Sequence, residues 1–142
     1  MIIQNFRAKP TIPMRTHPEP TLLDMLRTIA VARLILGAEM NLQAPPNLMP
    51  DTYPLLLLAG INDWGGISPL TRDLINPEAP WPQIEALRDA TASLGYHLRE
   101  RLTIYPEYIV HREGFIAPTL LPRIMALVDG AGYLKEEGCH GA

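Results

Sequence analysis

Apolar and polar positions along the chain follow two alternating rhythms. Three short apolar runs end in bursts of polar and turn residues: Ile2-Ile3-Gln4-Asn5-Phe6-Arg7-Ala8-Lys9-Pro10, Asn41-Leu42-Gln43-Ala44-Pro45-Pro46-Asn47, and Ile61-Asn62-Asp63-Trp64-Gly65-Gly66. Each reads as a short strand. Helical periods lie between them. Leu22, Met25, Leu26, Ile29, Ala30 and Leu34 mark one face of a helix, with Thr21 and Asp24 as its capping pattern and Gly37 as its end. A brief helix over Leu55 to Leu58 stops at Gly60, and Pro80-Trp81-Pro82 opens another through Ile84, Leu87, Ala90 and Leu94, ended by Gly95. The predicted order is β-α-β-α-β-α.

The remaining stretches are less regular. Lys9 to Pro20 is a long, Pro-rich loop of the kind that carries function. Tyr96 to Ile104 predicts a final strand or a wrapping tail leading into Tyr105-Pro106-Glu107-Tyr108. Pro118 to Val128 predicts one more short helix, and Asp129-Gly130-Ala131-Gly132 with the charged residues after it predicts a frayed end.

Parallel α/β barrels place their catalytic groups at the C-terminal ends of their strands, so three polar strand ends in succession point to an enzyme. A full barrel takes about 250 residues, and three β/α units are under half of one. Parallel sheets are normally covered on both faces, and barrels have no edges. Partner strands are therefore expected from elsewhere, or from a longer protein.

Composition narrows the classes. A chain of 142 residues that is 47% apolar buries one ordinary core. The net charge of -3 gives no basic patch, which argues against nucleic acid as a partner. The apolar stretches Ile29 to Leu36 and Leu55 to Gly60 fall short of the roughly 20 residues that cross a bilayer. The N-terminus lacks the order of a signal peptide, so a soluble, cytoplasmic protein is expected. Cys139 is the single cysteine, and His17, His97, His111 and His140 show no metal-ligand spacing.

Six ordered blocks carry a resemblance: Ile3 to Pro10, His17-Pro18-Glu19-Pro20, Asn41 to Leu48, Gly60 to Gly66, Asn76-Pro77-Glu78-Ala79-Pro80-Trp81-Pro82, and Arg101 to Tyr108. Together they resemble the C-terminal part of the cyclising half of FO synthase, the 7,8-didemethyl-8-hydroxy-5-deazariboflavin synthase subunit. The resemblance implies a radical SAM (β/α) TIM-type barrel, of which residues 1–108 are the last three β/α units and 109–142 a C-terminal helix and tail. It implies S-adenosylmethionine and a 4Fe-4S cluster as cofactors of the parent enzyme. A 5′-deoxyadenosyl radical would act on an adduct of tyrosine and a ribitylaminouracil, which closes with loss of ammonia. The implied partners are the N-terminal half of the barrel and a tyrosine-adding subunit or domain.

The chain departs from the family in one respect: the cluster-binding Cys-x3-Cys-x2-Cys motif is absent, and one isolated cysteine does not replace it. A truncated, inactive segment of such an enzyme is expected. Related radical SAM proteins, aminofutalosine synthase or the tyrosine-adding half, are alternatives within the class. A non-catalytic half-barrel that binds a partner chain is the alternative outside it.

On this resemblance, Gln4, Asn5 and Arg7 would meet S-adenosylmethionine or the substrate's uracil, with the Arg fork suited to a carboxylate. Their alternative is a network that fixes the loop, as solvation is for Lys9. Asn41, Gln43 and Asn47 would read heterocycle edges, since an amide both donates and accepts; turn chemistry is the alternative. Gln43 points inward if Leu42 points outward. Asp63 is the catalytic candidate, accepting a proton during ammonia loss or holding the ribityl hydroxyls, with Asn62 beside it and Trp64 stacking on a flat substrate. Against these stand a capped turn and a Trp that fills the barrel's end. Tyr105, Glu107 and Tyr108 read as packing residues.

Overall fold

The computed structural model describes residues 1–68, 70–111 and 114–135. The chain divides into two compact units, Met1–Tyr96 and His97–Ala142.

In the first unit, three segments lie side by side in chain order. Ile2 pairs with Gln43, and Gln43 with Asp63, each through a single parallel bridge. The Gln43 amide donates to the Met1 carbonyl and the Ile3 amide to the Gln43 carbonyl, both at 2.8 Å, while the Asn62 amide donates to the Leu42 carbonyl at 3.1 Å. Helices connect the segments. Helix α1, Leu22–Leu36, joins the first to the second, and α2, Leu55–Ala59, joins the second to the third. Helix α3, Ile84–Ser93, follows the third.

The ends of α1 have local causes. Thr21 Oγ1 accepts from the Asp24 amide at 3.2 Å, and Asp24 Oδ2 accepts from the Thr21 amide at 2.9 Å, which closes a reciprocal capping box. The hydroxyl and amide of Thr21 hold the Asp24 carboxyl below its ordinary range. Gly37 closes the other end, its amide donating to the Arg33 carbonyl at 3.0 Å. Met25 and Ile29 are the buried positions of α1, and Leu56 and Leu57 those of α2, which packs against it.

Residues joined by a bridge carry their side chains on one face of the sheet, and their neighbours on the other. Leu42, Ala44 and Trp64 are buried, whereas Gln43 and Asp63, one position away, are partly open. The buried set builds the core with Ile61, Tyr53 and Leu87.

Arg33 locks these parts together. Its Nε donates to the Gly60 carbonyl at 2.7 Å; Nη1 donates to the carbonyls of Gly37, Ala38 and Met40 at 2.7, 3.1 and 2.8 Å; Nη2 donates to Asn62 Oδ1 at 3.1 Å. One guanidinium thus joins the end of α1, the loop into the second segment and the start of the third. Gly60 is needed beneath it, because a Cβ there would lie 2.9 Å from Arg33 Cγ and the residue has φ +115.

The second unit holds α4, Pro106–Val110, and α5, Leu121–Leu127. Residues 96–104, expected as a strand or a wrapping tail, form no strand, and α4 follows them; Pro106 at its first position and Glu107 beside it are helix-start chemistry. Residues 129–132, expected to fray, instead form a closed turn. Asp129 Oδ1 accepts from the Ala131 and Tyr133 amides at 2.9 and 3.0 Å, Arg99 pairs with its carboxylate, and Val128 bridges Leu134. Burial pushes the Asp129 carboxyl up, but these donors outweigh it and leave it below its ordinary value. The expected tail beyond Lys135, with Cys139 and His140, lies outside the described residues. No helix among the described residues is long and apolar enough to cross a membrane.

Replacing Arg33 with Ala is expected to destabilise the chain by about 1–2 kcal/mol, because five bonds to one charged donor, most of them solvent-exposed, are lost together. Arg33→Lys, a point charge without the fork, is expected to recover less than half of this. Urea unfolding checks both, as a lower midpoint at unchanged slope.

Candidate functional site

The C-terminal sides of the three bridged segments and the loops beyond them carry the polar groups, in two neighbouring sets. The first is Gln43 with Asp63. Their bridge sets the side chains abreast, and Gln43 Nε2 donates to Asp63 Oδ1 at 3.2 Å. The Gly65 amide donates to the same oxygen at 2.5 Å, an Asx turn that bends the chain away from the strand end. Asp63 therefore presents a carboxylate whose orientation is fixed from two sides, on a face that remains partly open.

The second set ties the loops to one another. Asn5 Nδ2 and Arg7 Nη1 both donate to the Leu48 carbonyl, at 3.4 and 3.3 Å. Arg7 also pairs with Glu19 at 3.5 Å, and Glu19 accepts from the Ala8 amide at 2.8 Å, which folds the long first loop back on its own strand. Lys9 donates to the Ile75 carbonyl and lies 3.7 Å from Glu78.

Asp73 is the centre of this set. Its Oδ1 accepts from the amides of Ile75 and Asn76 at 2.9 and 3.1 Å, and its Oδ2 from Asn47 Nδ2 and Asn76 Nδ2 at 2.9 and 3.2 Å. Burial raises the Asp73 carboxyl, but the Asn76 amide and side chain, the Ile75 amide and Asn47 together hold it below its ordinary value. Asn47 Nδ2 also donates to the Ala79 carbonyl at 3.0 Å. Asn47 Oδ1, by contrast, is buried with no donor. An unpaired buried acceptor costs about 1–3 kcal/mol, so its retention calls for an explanation.

The nine residues singled out from sequence thus separate into groups. Gln43 and Asp63 come together, and Asn5, Arg7 and Asn47 share the loop network. Gln4 is exposed beside them. Asn41 and Asn62 lie at the opposite, N-terminal side of their bridges. The Asn41 carbonyl accepts from the Met1 ammonium, and Asn62 Oδ1 accepts from the Leu42 amide at 2.8 Å and from Arg33. Asn62 acts as an extra rung between two segments.

Trp64 takes its packing alternative. It is 6% exposed, meets the Tyr53 ring edge-on at 5.5 Å, and donates from its indole nitrogen to Thr91 Oγ1 at 3.3 Å. The one-residue offset from Asp63 turns it into the core. Burial beside it raises the Tyr53 hydroxyl above its ordinary range.

Sequence reasoning missed Asp73, Asn76 and Arg33. Asp73 three residues before Asn76-Pro77 is a turn signature that marks a fixed loop. Arg33 lies inside an apolar helix with no local pattern that marks its role. Among the described residues no three His, Cys, Asp or Glu side chains group as metal ligands.

Comparison with known proteins assigns this arrangement a context. Over 135 residues, 95% of its length, the chain is 53% identical to a 7,8-didemethyl-8-hydroxy-5-deazariboflavin synthase of Methanopyrus kandleri, of which it spans 40%. It is 53% identical over 134 residues to an FO synthase of Streptomyces avermitilis, of which it spans 16%. A 7,8-didemethyl-8-hydroxy-5-deazariboflavin synthase of Methanococcus aeolicus is 51% identical over 124 residues, 34% of its length. No family model and no solved structure matches the chain. The resemblance read from the six sequence blocks holds over nearly the whole chain, and the shares spanned fit a portion of such a protein.

The Asp73 carboxyl, held below its ordinary 3.8, contributes stability that is complete above that value and is lost as pH falls through the lower, folded-state value. Melting curves taken from about pH 6 down to about pH 2 are expected to fall in that acid range, and Asp73→Asn to flatten part of the fall. Asp24 and Asp129, also held low, titrate in the same direction. An unchanged acid slope in the variant would rule Asp73 out as a contributor.

Proposed function

We propose that the chain is part of a radical SAM (β/α) barrel of the FO synthase type, acting in deazaflavin coenzyme biosynthesis, with its strand ends holding the substrate. The similarity of almost the entire chain to stretches of proteins so named carries this reading. Three segments paired in parallel and in chain order, with helices between them, support the barrel. The first segment leaves Ile2 65% exposed, in keeping with a sheet that continues through strands from elsewhere.

The cofactor set does not fit this chain's own residues. A 4Fe-4S cluster takes several thiolates, and the sequence holds one cysteine. This chain's role is binding, orientation and proton transfer. Asp63 is the group for the last of these. Gln43 and the Gly65 amide hold its carboxylate at the strand end, where it takes up a proton as ring closure expels ammonia. Arg7 and Asn5, both donating to the Leu48 carbonyl, fix the turn that borders the substrate.

A chimera tests this. The chain replaces the matching stretch of the Methanopyrus kandleri relative, and deazaflavin formation is followed by fluorescence. The chimera is expected to make product, and its Asp63→Asn form to be slower by about 10²-fold, the scale of one acid-base group. A folded chimera that retains its cluster but makes no product would defeat the proposal.

A further inference from the structure

Asn62 makes two reciprocal bonds to one residue of the neighbouring segment. Its backbone amide donates to the Leu42 carbonyl at 3.1 Å, and its Oδ1 accepts from the Leu42 amide at 2.8 Å. Leu42 has no exposed surface, so this pair ties Asn62 to a residue that the core already fixes. Arg33 Nη2 donates to the same Oδ1 at 3.1 Å, which adds a tie to α1. Gln43 follows Leu42 and Asp63 follows Asn62, so this clamp stands one residue before the bridge between Gln43 and Asp63.

That position matters because the two segments share a single bridge. In a sheet, a slip of one residue turns every side chain to the other face. Burial of Trp64 opposes such a slip, which would bring the indole out of the core. A smaller slide or tilt of the segment is left for Asn62 to remove, and a misplacement of about 1 Å is enough to slow a reaction about 10²-fold. We propose that Asn62 is a positioning residue for proton transfer: its Oδ1 holds the third segment on Leu42 and Arg33 and so aims the Asp63 carboxylate. This rests on the reading that Asp63 takes up the proton. Both side-chain bonds land on the oxygen, so Asp at this position keeps them, with its added charge facing the Arg33 guanidinium. A contact made through the amide hydrogens would instead be lost.

Two readouts test this. In the full 142-residue chain the Gly65 amide donates to Asp63 Oδ1, so its NMR signal reports where the carboxylate lies. Asn62→Ala is expected to move that signal, and Asn62→Asp to return it towards its original place. In the chimera described above, Asn62→Ala is expected to lower kcat about tenfold with KM within about twofold, and Asn62→Asp to regain all but about threefold. On the Asp63→Asn background, adding Asn62→Ala should cost less than about twofold, because the group being aimed is gone. Asn62→Thr, which suits a strand but carries its hydroxyl nearer the backbone, serves where Asn62→Ala does not fold. An unmoved Gly65 signal, or a loss of kcat that persists undiminished on the Asp63→Asn background, would overturn the assignment and leave the functional reading standing. Failure of Asn62→Asp to restore kcat would overturn it as well, in favour of a ligand contact through the amide hydrogens. Full activity of the Asp63→Asn chimera would overturn the role of Asp63, and the assignment with it.

Discussion

The guanidinium of Arg33 is the constraint on which the first unit depends. Isolated parallel bridges supply few ladder hydrogen bonds, and parallel pairing needs its crossovers held against the sheet. Arg33 does this from within α1, with five bonds that reach the helix end, the entry to the second segment and the start of the third. All but one of its acceptors are backbone carbonyls. Those carbonyls belong to the loop and helix end that lack intrahelical partners, so the same group that fixes register also satisfies them. Gly60, stripped of a Cβ, is the shape requirement that lets the stem of Arg33 lie against the third segment. Asp63 follows three residues later, so the placement of the catalytic candidate is inherited from a contact on the opposite side of the sheet.

Much of the fold was legible because its signals are local. Thr21 and Asp24 close a capping box, and Gly37, Gly60 and Gly95 end helices where the sequence places them. The alternation around Gln43 also follows from local pattern, since Leu42 and Ala44 on either side of it are buried. What was hidden depends on distance along the chain. Asn62 looked like a ligand group because strand-end amides often are, but its partners are the Leu42 amide and Arg33, far away in sequence. Trp64 looked like a stacking platform, yet Thr91 on a later helix claims its N–H. In the second unit, Pro106 carried a helix-start signal that the extended look of residues 96–104 masked.

The loop network shows how polar groups can serve structure and chemistry together. Asp73 receives donors from its own loop and from Asn47, and Lys9 reaches Ile75 from the first loop. Three loops that would otherwise move independently are thereby coupled, which lowers the entropy left to be lost when a ligand orders them. The donors and acceptors used for this coupling are not available to a ligand. Among the described residues, Asn47 Oδ1 is the buried side-chain atom left without a partner.

The chemistry of the set also limits what it can hold. Asn5, Gln43, Asn47 and Asn76 are amides, each with a donor and an acceptor, and Arg7 is already paired with Glu19. Such a lining is poorly matched to a phosphate, which calls for several convergent cations or backbone amides at a helix end. The amide donors of Asn5, Asn47 and Asn76 are spent instead on the Leu48 and Ala79 carbonyls and the Asp73 carboxylate. With one cysteine in the sequence, this chain cannot itself furnish the thiolates of a cluster. Among the described carboxylates, Asp63 is held at its segment's end by Gln43 and the Gly65 amide, whereas Asp73 is taken up by the loops themselves.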